Sequence, residues 1–222
     1  MQYNYDRFSP DHYTFGGHGK VAVGESIPDS KIFQLSGEES TLHGQLGALT
    51  VLETGSLTCP LYRSNIHPML DLQREYSDVK FLVLYVREAH PGERTSAHDA
   101  ITDKIEAASQ LRTQDTENRQ ILVDDVAGSL HRKLGLMPDM VYVLDADGTV
   151  LASIEDNDPS SVAAMLNAIQ SNQDPSAITP QFNRPSPRHV FPTLWAGGWI
   201  ALYDFFSTLP KLLKSRSDSG ET

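Results

Sequence analysis

The sequence has one cysteine, Cys59. No disulfide can close within the chain, so a secreted disulfide scaffold is excluded and a reducing, cytoplasmic compartment is expected. Basic residues are also scarce: 18 Lys and Arg stand against 29 Asp and Glu, a net charge of −11. A nucleic-acid partner needs a basic face for the phosphate backbone and is not expected. No run of about 18 apolar residues occurs, so no conventional membrane span is expected. The opening residues Met1-Gln2-Tyr3-Asn4-Tyr5-Asp6-Arg7 lack an apolar core behind a basic start and do not read as a secretory leader. The composition that remains, 39% hydrophobic and 21% charged over 222 residues, suits one globular domain with extensions.

Cys59 lies at the most informative point of that domain. The apolar run 48–53 predicts a buried strand, and residues 60–77 carry the apolar spacing of a helix, with a kink or break expected at Pro68. Pro60 suits a first helical position. A thiol where a strand hands over to a helix feels the positive end of the helix dipole, which favours the thiolate. The alternative is a small buried hydrophobe, the usual fate of a free cysteine.

Residues 1–20 read as a flexible N-terminal arm, and 21–172 as the domain. Within the domain, 31–42 predicts a β-hairpin and 79–86 a central strand covered on both faces. A helix starting at His98 follows, then a strand at 120–123 and a short helix at 126–134 ended by Gly135. A hairpin around Ala146-Asp147-Gly148 and a last helix at 160–171 close the unit. This order predicts a thioredoxin-like α/β sandwich: a central mixed sheet with helices on both faces, an N-terminal hairpin and a C-terminal helical tail.

Ligands of open α/β sheets bind beyond the C-terminal ends of the strands, where Cys59 and the loop 87–97 both fall. Three groups there are candidates to converge on the sulfur. Glu88 and His90 sit two apart, which in extended geometry puts them on one side, with Glu88 orienting His90 for proton transfer. His98 is the third. Thr58 and Ser56 are candidate donors to the thiolate or to a developing anion, although turn-forming hydroxyls are their ordinary use. Glu88-x-His90 with His98 lacks the i, i+4 pair of a helical zinc motif, so no metal is expected. Tyr62 occupies the second position of a Cys-x-x-Cys pattern, which excludes a dithiol, so an external thiol must be the reductant.

These residues carry a resemblance to the thioredoxin and peroxiredoxin superfamily and, within it, to the iodothyronine deiodinase family. Gly55-Ser56-Leu57-Thr58-Cys59-Pro60 resembles that family's active turn, with Cys59 at the selenocysteine position. The run from Phe81 to Glu88-Ala89-His90 resembles its strand ending in Glu-Ala-His, and the segment from His98 resembles its second-histidine helix. Pro138-Asp139-Met140-Val141-Tyr142-Val143 resembles a later strand. The resemblance implies a thiol oxidoreductase with Cys59 as nucleophile, Glu88 and His90 in the proton relay and His98 on the substrate side; from their places around Cys59, Thr58 joins the catalytic group and Ser56 and Tyr62 the substrate side. It implies a small halogenated aromatic as substrate and no bound cofactor. Leu57 stands where the family has a nearby cysteine, and Met140 where it has an arginine. A one-cysteine thiol peroxidase and a non-enzymatic binding module are the alternatives.

Residues 173–192 read as a linker, and 193–216 as an amphipathic aromatic helix with Trp195, Trp199, Tyr203 and Phe206 in helical spacing ahead of Lys211, Lys214 and Arg216. Packing on the domain, a homodimer contact and peripheral membrane contact are its candidate uses.

Overall fold

The computed structural model describes residues 3–13, 21–175, 178 and 185–218, with side chains as far as 214. The apolar runs become seven strands: β1 (Lys31–Gln34), β2 (Glu39–Thr41), β3 (Leu49–Gly55), β4 (Lys80–Tyr85), β5 (Gln120–Val123), β6 (Met140–Asp145) and β7 (Val150–Glu155). They form one sheet in the order β2-β1-β5-β4-β3-β6-β7. The centre is parallel, with Leu52 opposite Leu82 and Leu84 opposite Leu122, and both flanks are antiparallel.

Six α-helices pack around it among the described residues: α1 (Pro60–Glu75), α2 (Ile101–Gln114), α3 (Ser129–Leu134), α4 (Pro159–Gln170), α5 (Pro187–Gly197) and α6 (Trp199–Asp218). Successive strand residues point to opposite faces, so β4 serves two cores. Phe81, Val83 and Tyr85 meet α1, α2 and α4, while Leu82 and Leu84 meet α3 and the segment 27–46. This is the expected thioredoxin-like architecture.

Several boundaries differ from expectation. Helix α1 runs unbroken through Pro68, which is exposed, so the carbonyl that loses its partner is on a face open to water. Helix α2 begins at Ile101, leaving His98 in the loop before it. Helix α3 starts only at Ser129, because Gly128 takes a left-handed conformation at φ +70°. The aromatic tail is two helices instead of one, separated at Gly198 with φ +105°. Helix α5 already starts at Pro187, inside the expected linker, while 176–177 and 179–184 of that linker lie outside the described residues.

The expected flexible arm is folded over residues 3–13, and its remainder at 14–20 lies outside the described residues. Tyr3, Tyr5 and Phe8 are buried. Arg87, at the exit of β4, holds the arm by donating to the Tyr3 carbonyl at 2.9 Å and the His12 carbonyl at 2.8 Å.

Candidate active site

Strand β3 ends at Gly55, and the turn that follows hands over to α1 with Cys59 as its N-cap. Glycine is required at 55: a Cβ there would lie 2.4 Å from the Tyr62 ring. The backbone N–H groups of Leu61 and Tyr62 point at the sulfur and draw the thiol pKa down, as a helix N-terminus should. Burial pushes it up more strongly, and the carboxylates of Asp139 and Asp156 push the same way. The net direction is well above an ordinary thiol, opposite to the sequence-based expectation. Cys59 is only 1% exposed in this closed arrangement.

Glu88 ties the loop after β4 to the Cys59 turn. Its Oε2 accepts from the Thr58 backbone N–H at 3.0 Å and from the Thr58 hydroxyl at 2.6 Å. Its Oε1 accepts from the Tyr85 hydroxyl and meets His98 Nε2 at 3.0 Å. Burial pushes this carboxyl up, but the bonds from His98, Thr58 and Tyr85 outweigh it and hold the pKa below the usual value.

The imidazole held by Glu88 is therefore His98, and the expected Glu88–His90 orientation is not found. The two-residue rule fails because β4 ends at Tyr85, leaving Glu88 and His90 beyond the extended strand. The His90 backbone N–H donates to Thr58 Oγ1 at 3.0 Å, while its ring lies between Phe8 at 4.2 Å and Phe205 at 5.3 Å between centroids. Its Nδ1 has no hydrogen-bond partner among the described residues. Burial lowers the His90 pKa to about 3, so the ring is neutral at physiological pH.

The hydroxyls expected to serve the thiolate are engaged elsewhere. Thr58 donates to Glu88, and Ser56 Oγ accepts from the Ala89 N–H at 3.2 Å. Tyr62 is fully buried with its hydroxyl on Glu117 at 2.9 Å, which removes it from a substrate-facing role. It belongs to a polar cluster in which buried Arg119 pairs with Glu53 and Glu117. His98 is likewise buried at 3% exposure, with its Nε2 on Glu88 Oε1.

Sequence reasoning missed the roof. The Tyr5 and Tyr13 hydroxyls donate to the Ala89 carbonyl at 3.1 and 3.3 Å. From the other end, the α5–α6 junction lies on the loop 90–95: Arg94 N–H donates to the Gly197 carbonyl, and Glu93 accepts from the first N–H groups of α6 at Trp199 and Ile200. A Cβ at Gly197 would sit 2.5 Å from the His90 carbonyl oxygen, so only glycine permits this approach. Asp204 on α6 accepts from Arg7 Nε at 2.7 Å and from the Phe8 N–H at 3.2 Å, joining the two halves of the roof. The available signal was the aromatic density of the supposed arm, with Tyr3, Tyr5, Phe8 and Tyr13, since disordered segments are poor in aromatics. Tyr85 also went unnoticed, although a polar-tipped ring in an otherwise apolar strand end calls for a partner.

The family model described as iodothyronine deiodinase matches residues 12–154. The chain belongs to the iodothyronine deiodinase family. The matched span holds Cys59, Glu88, His90 and His98, and stops before α4, α5 and α6. The chain is similar to thyroxine 5-deiodinase of Rattus norvegicus, 26% identical over 141 residues that cover 58% of this chain and 46% of the relative. The human thyroxine 5-deiodinase is 28% identical over 111 residues, covering 46% of this chain and 36% of the relative. The chain thus spans less than half the length of these family members. Among solved structures, a peroxidoxin of Mycobacterium tuberculosis matches with a TM-score of 0.50 at 15% identity, covering 72% of this chain and 99% of that one. The thioredoxin domain of a thiol-disulfide oxidoreductase from Bacteroides vulgatus also matches at 0.50, with 12% identity over 69% and 99% of the two chains. These likenesses show the thioredoxin-like fold. Among the described residues no helix is long and apolar enough to cross a membrane.

Proposed function

We propose that this family member is a thiol-dependent oxidoreductase that removes a halogen from a small halogenated aromatic, with Cys59 as nucleophile. The supporting observation is the position of Cys59, at the N-cap of α1 and locked by Glu88 to the loop bearing His90 and His98. A deprotonated Cys59 sulfur attacks the halogen, an S–halogen bond forms, the carbon–halogen bond breaks, and its electron pair stays on carbon. That carbon takes up a proton from the hydrogen-bonded set of Tyr85, Glu88 and His98. His90 is neutral while Phe8 and Phe205 cover its ring, and it faces the substrate when the roof opens.

An external thiol then attacks the S–halogen bond, releasing halide and a proton and leaving a mixed disulfide on Cys59. A second external thiol attacks that disulfide, so two thiols become one disulfide and the Cys59 thiol is restored. Substrate reaches the sulfur when the roof separates, and an open site rehydrates Cys59 and removes the burial that holds its pKa up.

The test is iodide release from thyroxine and from simpler iodinated phenols with dithiothreitol as reductant. Release is expected for the natural sequence and none for Cys59→Ser. Consumption of a hydroperoxide without iodide release would replace this proposal with a one-cysteine peroxidase. A Cys59 that resists alkylation at every pH up to 10 in the folded protein would remove both and leave a binding module.

A further inference from the structure

The outer face of α5 and α6 has no use in the site just described. Their inner face closes over His90, whereas Phe191, Trp199, Tyr203, Phe206 and Leu213 are exposed, with Trp199 and Tyr203 at 68% each. The spacing from Trp199 through Tyr203, Phe206 and Leu213 keeps them on one side of α6. The rings form a continuous surface: Phe191 stacks on Trp195 at 6.4 Å between centroids, and Trp195 meets Trp199 edge-on at 4.9 Å. Exposed apolar patches of this kind mark interaction surfaces.

Charge selects the occupant. Between residues 187 and 214 the charged side chains are Arg188, Lys211 and Lys214, with Asp204 as the one acid, in a chain of net charge −11. Asp204 faces inward and is held by Arg7. Arg188 is exposed one helical turn before Phe191, Lys211 and Lys214 flank the far end of the stripe, and Arg94 lies 3.8 Å over the Trp195 ring. Of the acids at the patch edge, Glu93 is bound to the start of α6, and Asp11 offsets Lys211 at 2.5 Å, which leaves Arg94, Arg188 and Lys214 as the cations of the patch. Two copies of this face would bring like charges together. An anionic surface would meet cations and amphipathic rings, the pattern of helices that lie in a membrane interface.

We infer that the outer face of α5 and α6 docks the protein on an anionic lipid surface, with the aromatic rings at headgroup depth and the roof of the site turned to the bilayer. The inference does not depend on the chemistry assigned to Cys59. Flotation of the full-length protein with vesicles of phosphatidylcholine, alone or mixed with phosphatidylglycerol, tests it. Binding is expected with the anionic mixture and should weaken with added salt. The double variant Lys211→Glu, Lys214→Glu should lower partitioning by well over tenfold, since each basic residue near such a surface contributes about fivefold. Trp199→Ser with Tyr203→Ser should abolish binding while circular dichroism and the thermal midpoint stay unchanged, as both rings are mostly exposed. Equal recovery of natural and variant proteins with the vesicles, or none with either vesicle, would overturn the assignment. So would sedimentation showing a dimer that Trp199→Ser and Tyr203→Ser disperse, which would give the face to a second copy.

Discussion

A single oxygen of Glu88, Oε2, accepts from both the backbone N–H and the hydroxyl of Thr58, the residue beside the nucleophile candidate. The two residues lie on different strand ends, so this contact fixes the Cys59 turn against the exit of β4. Bonds to a buried carboxylate are among the stronger ones a protein makes. Glu88→Gln should cost about 2–3 kcal/mol in urea unfolding, because a charged acceptor of several buried hydrogen bonds becomes a neutral amide with one oxygen. Thr58→Ser should keep stability within about 1 kcal/mol, whereas Thr58→Val should lose more and slow iodide release. Equal behaviour of the serine and valine variants would show that the hydroxyl does nothing.

Acid should weaken the fold through its buried histidines, while Asp139, whose pKa burial raises, pulls the other way. With its folded pKa near 3, His90 stays neutral when the unfolded chain starts to bind a proton below about pH 6.5. The unfolded state then holds more protons, so stability falls as pH drops, by up to about 1.4 kcal/mol per unit for one histidine. Buried His131, also lowered by burial, adds in the same direction. The stability from Glu88, whose pKa is lowered, is complete above the ordinary carboxylate range and is lost only as pH falls through its folded value. Urea melts between pH 7.5 and 5 should show this slope, and His90→Asn should flatten it by about one histidine's share. An unchanged slope in that variant would place the titration elsewhere.

The buried carboxyls of Glu53 and Asp139 are not equivalent. Burial raises both, Glu53 raises Asp139 further, and Arg119 draws Glu53 back. Asp139 is therefore the more readily protonated of the two. Asp139→Asn should change stability by less than about 1 kcal/mol, whereas Glu53→Gln takes from buried Arg119 one of its two carboxylate partners, leaving Glu117, and should cost about 3 kcal/mol. Calorimetry on the two variants separates them, and a reversed order would assign the proton to Glu53.

Gly197→Ala tests how tightly the roof is seated. The added carbon would lie 2.5 Å from the His90 carbonyl oxygen and 2.6 Å from Ala201 Cβ, so backbone must shift. A stability loss of about 1–3 kcal/mol is expected, as for other overpacked sites. Cys59 should also become easier to alkylate at pH 8, because the helices that cover it stand off. A variant that loses stability without exposing the thiol would mean that α5 and α6 do not guard the sulfur.

The sequence disclosed the sheet, the Cys59 turn and the loop that meets it, because apolar runs, Pro60 and the Gly55 turn are local signals. It did not disclose which imidazole Glu88 holds. That choice depends on where β4 stops, and alternation stops with it. The thiol's environment was also out of reach: the dipole at the head of α1 can be read locally, but the burial that outweighs it comes from a cluster that gathers β4, α2, β5 and Ala196 of α5, remote in the chain. Gly197 and Gly198 were visible as weak helix formers. Their actual use, a close approach to the His90 carbonyl and a break between two helices, needs the partner surface to be seen.

Arg7 and Asp204 stand 197 positions apart. A bond that closes nearly the whole chain into a ring repays its loop-closure entropy only after the sheet between has formed. The two ends should therefore be the last to settle and the first to part on warming. Access to the sulfur then follows the opening of that ring, so a change at either end of the chain would tune the chemistry at its middle without touching it.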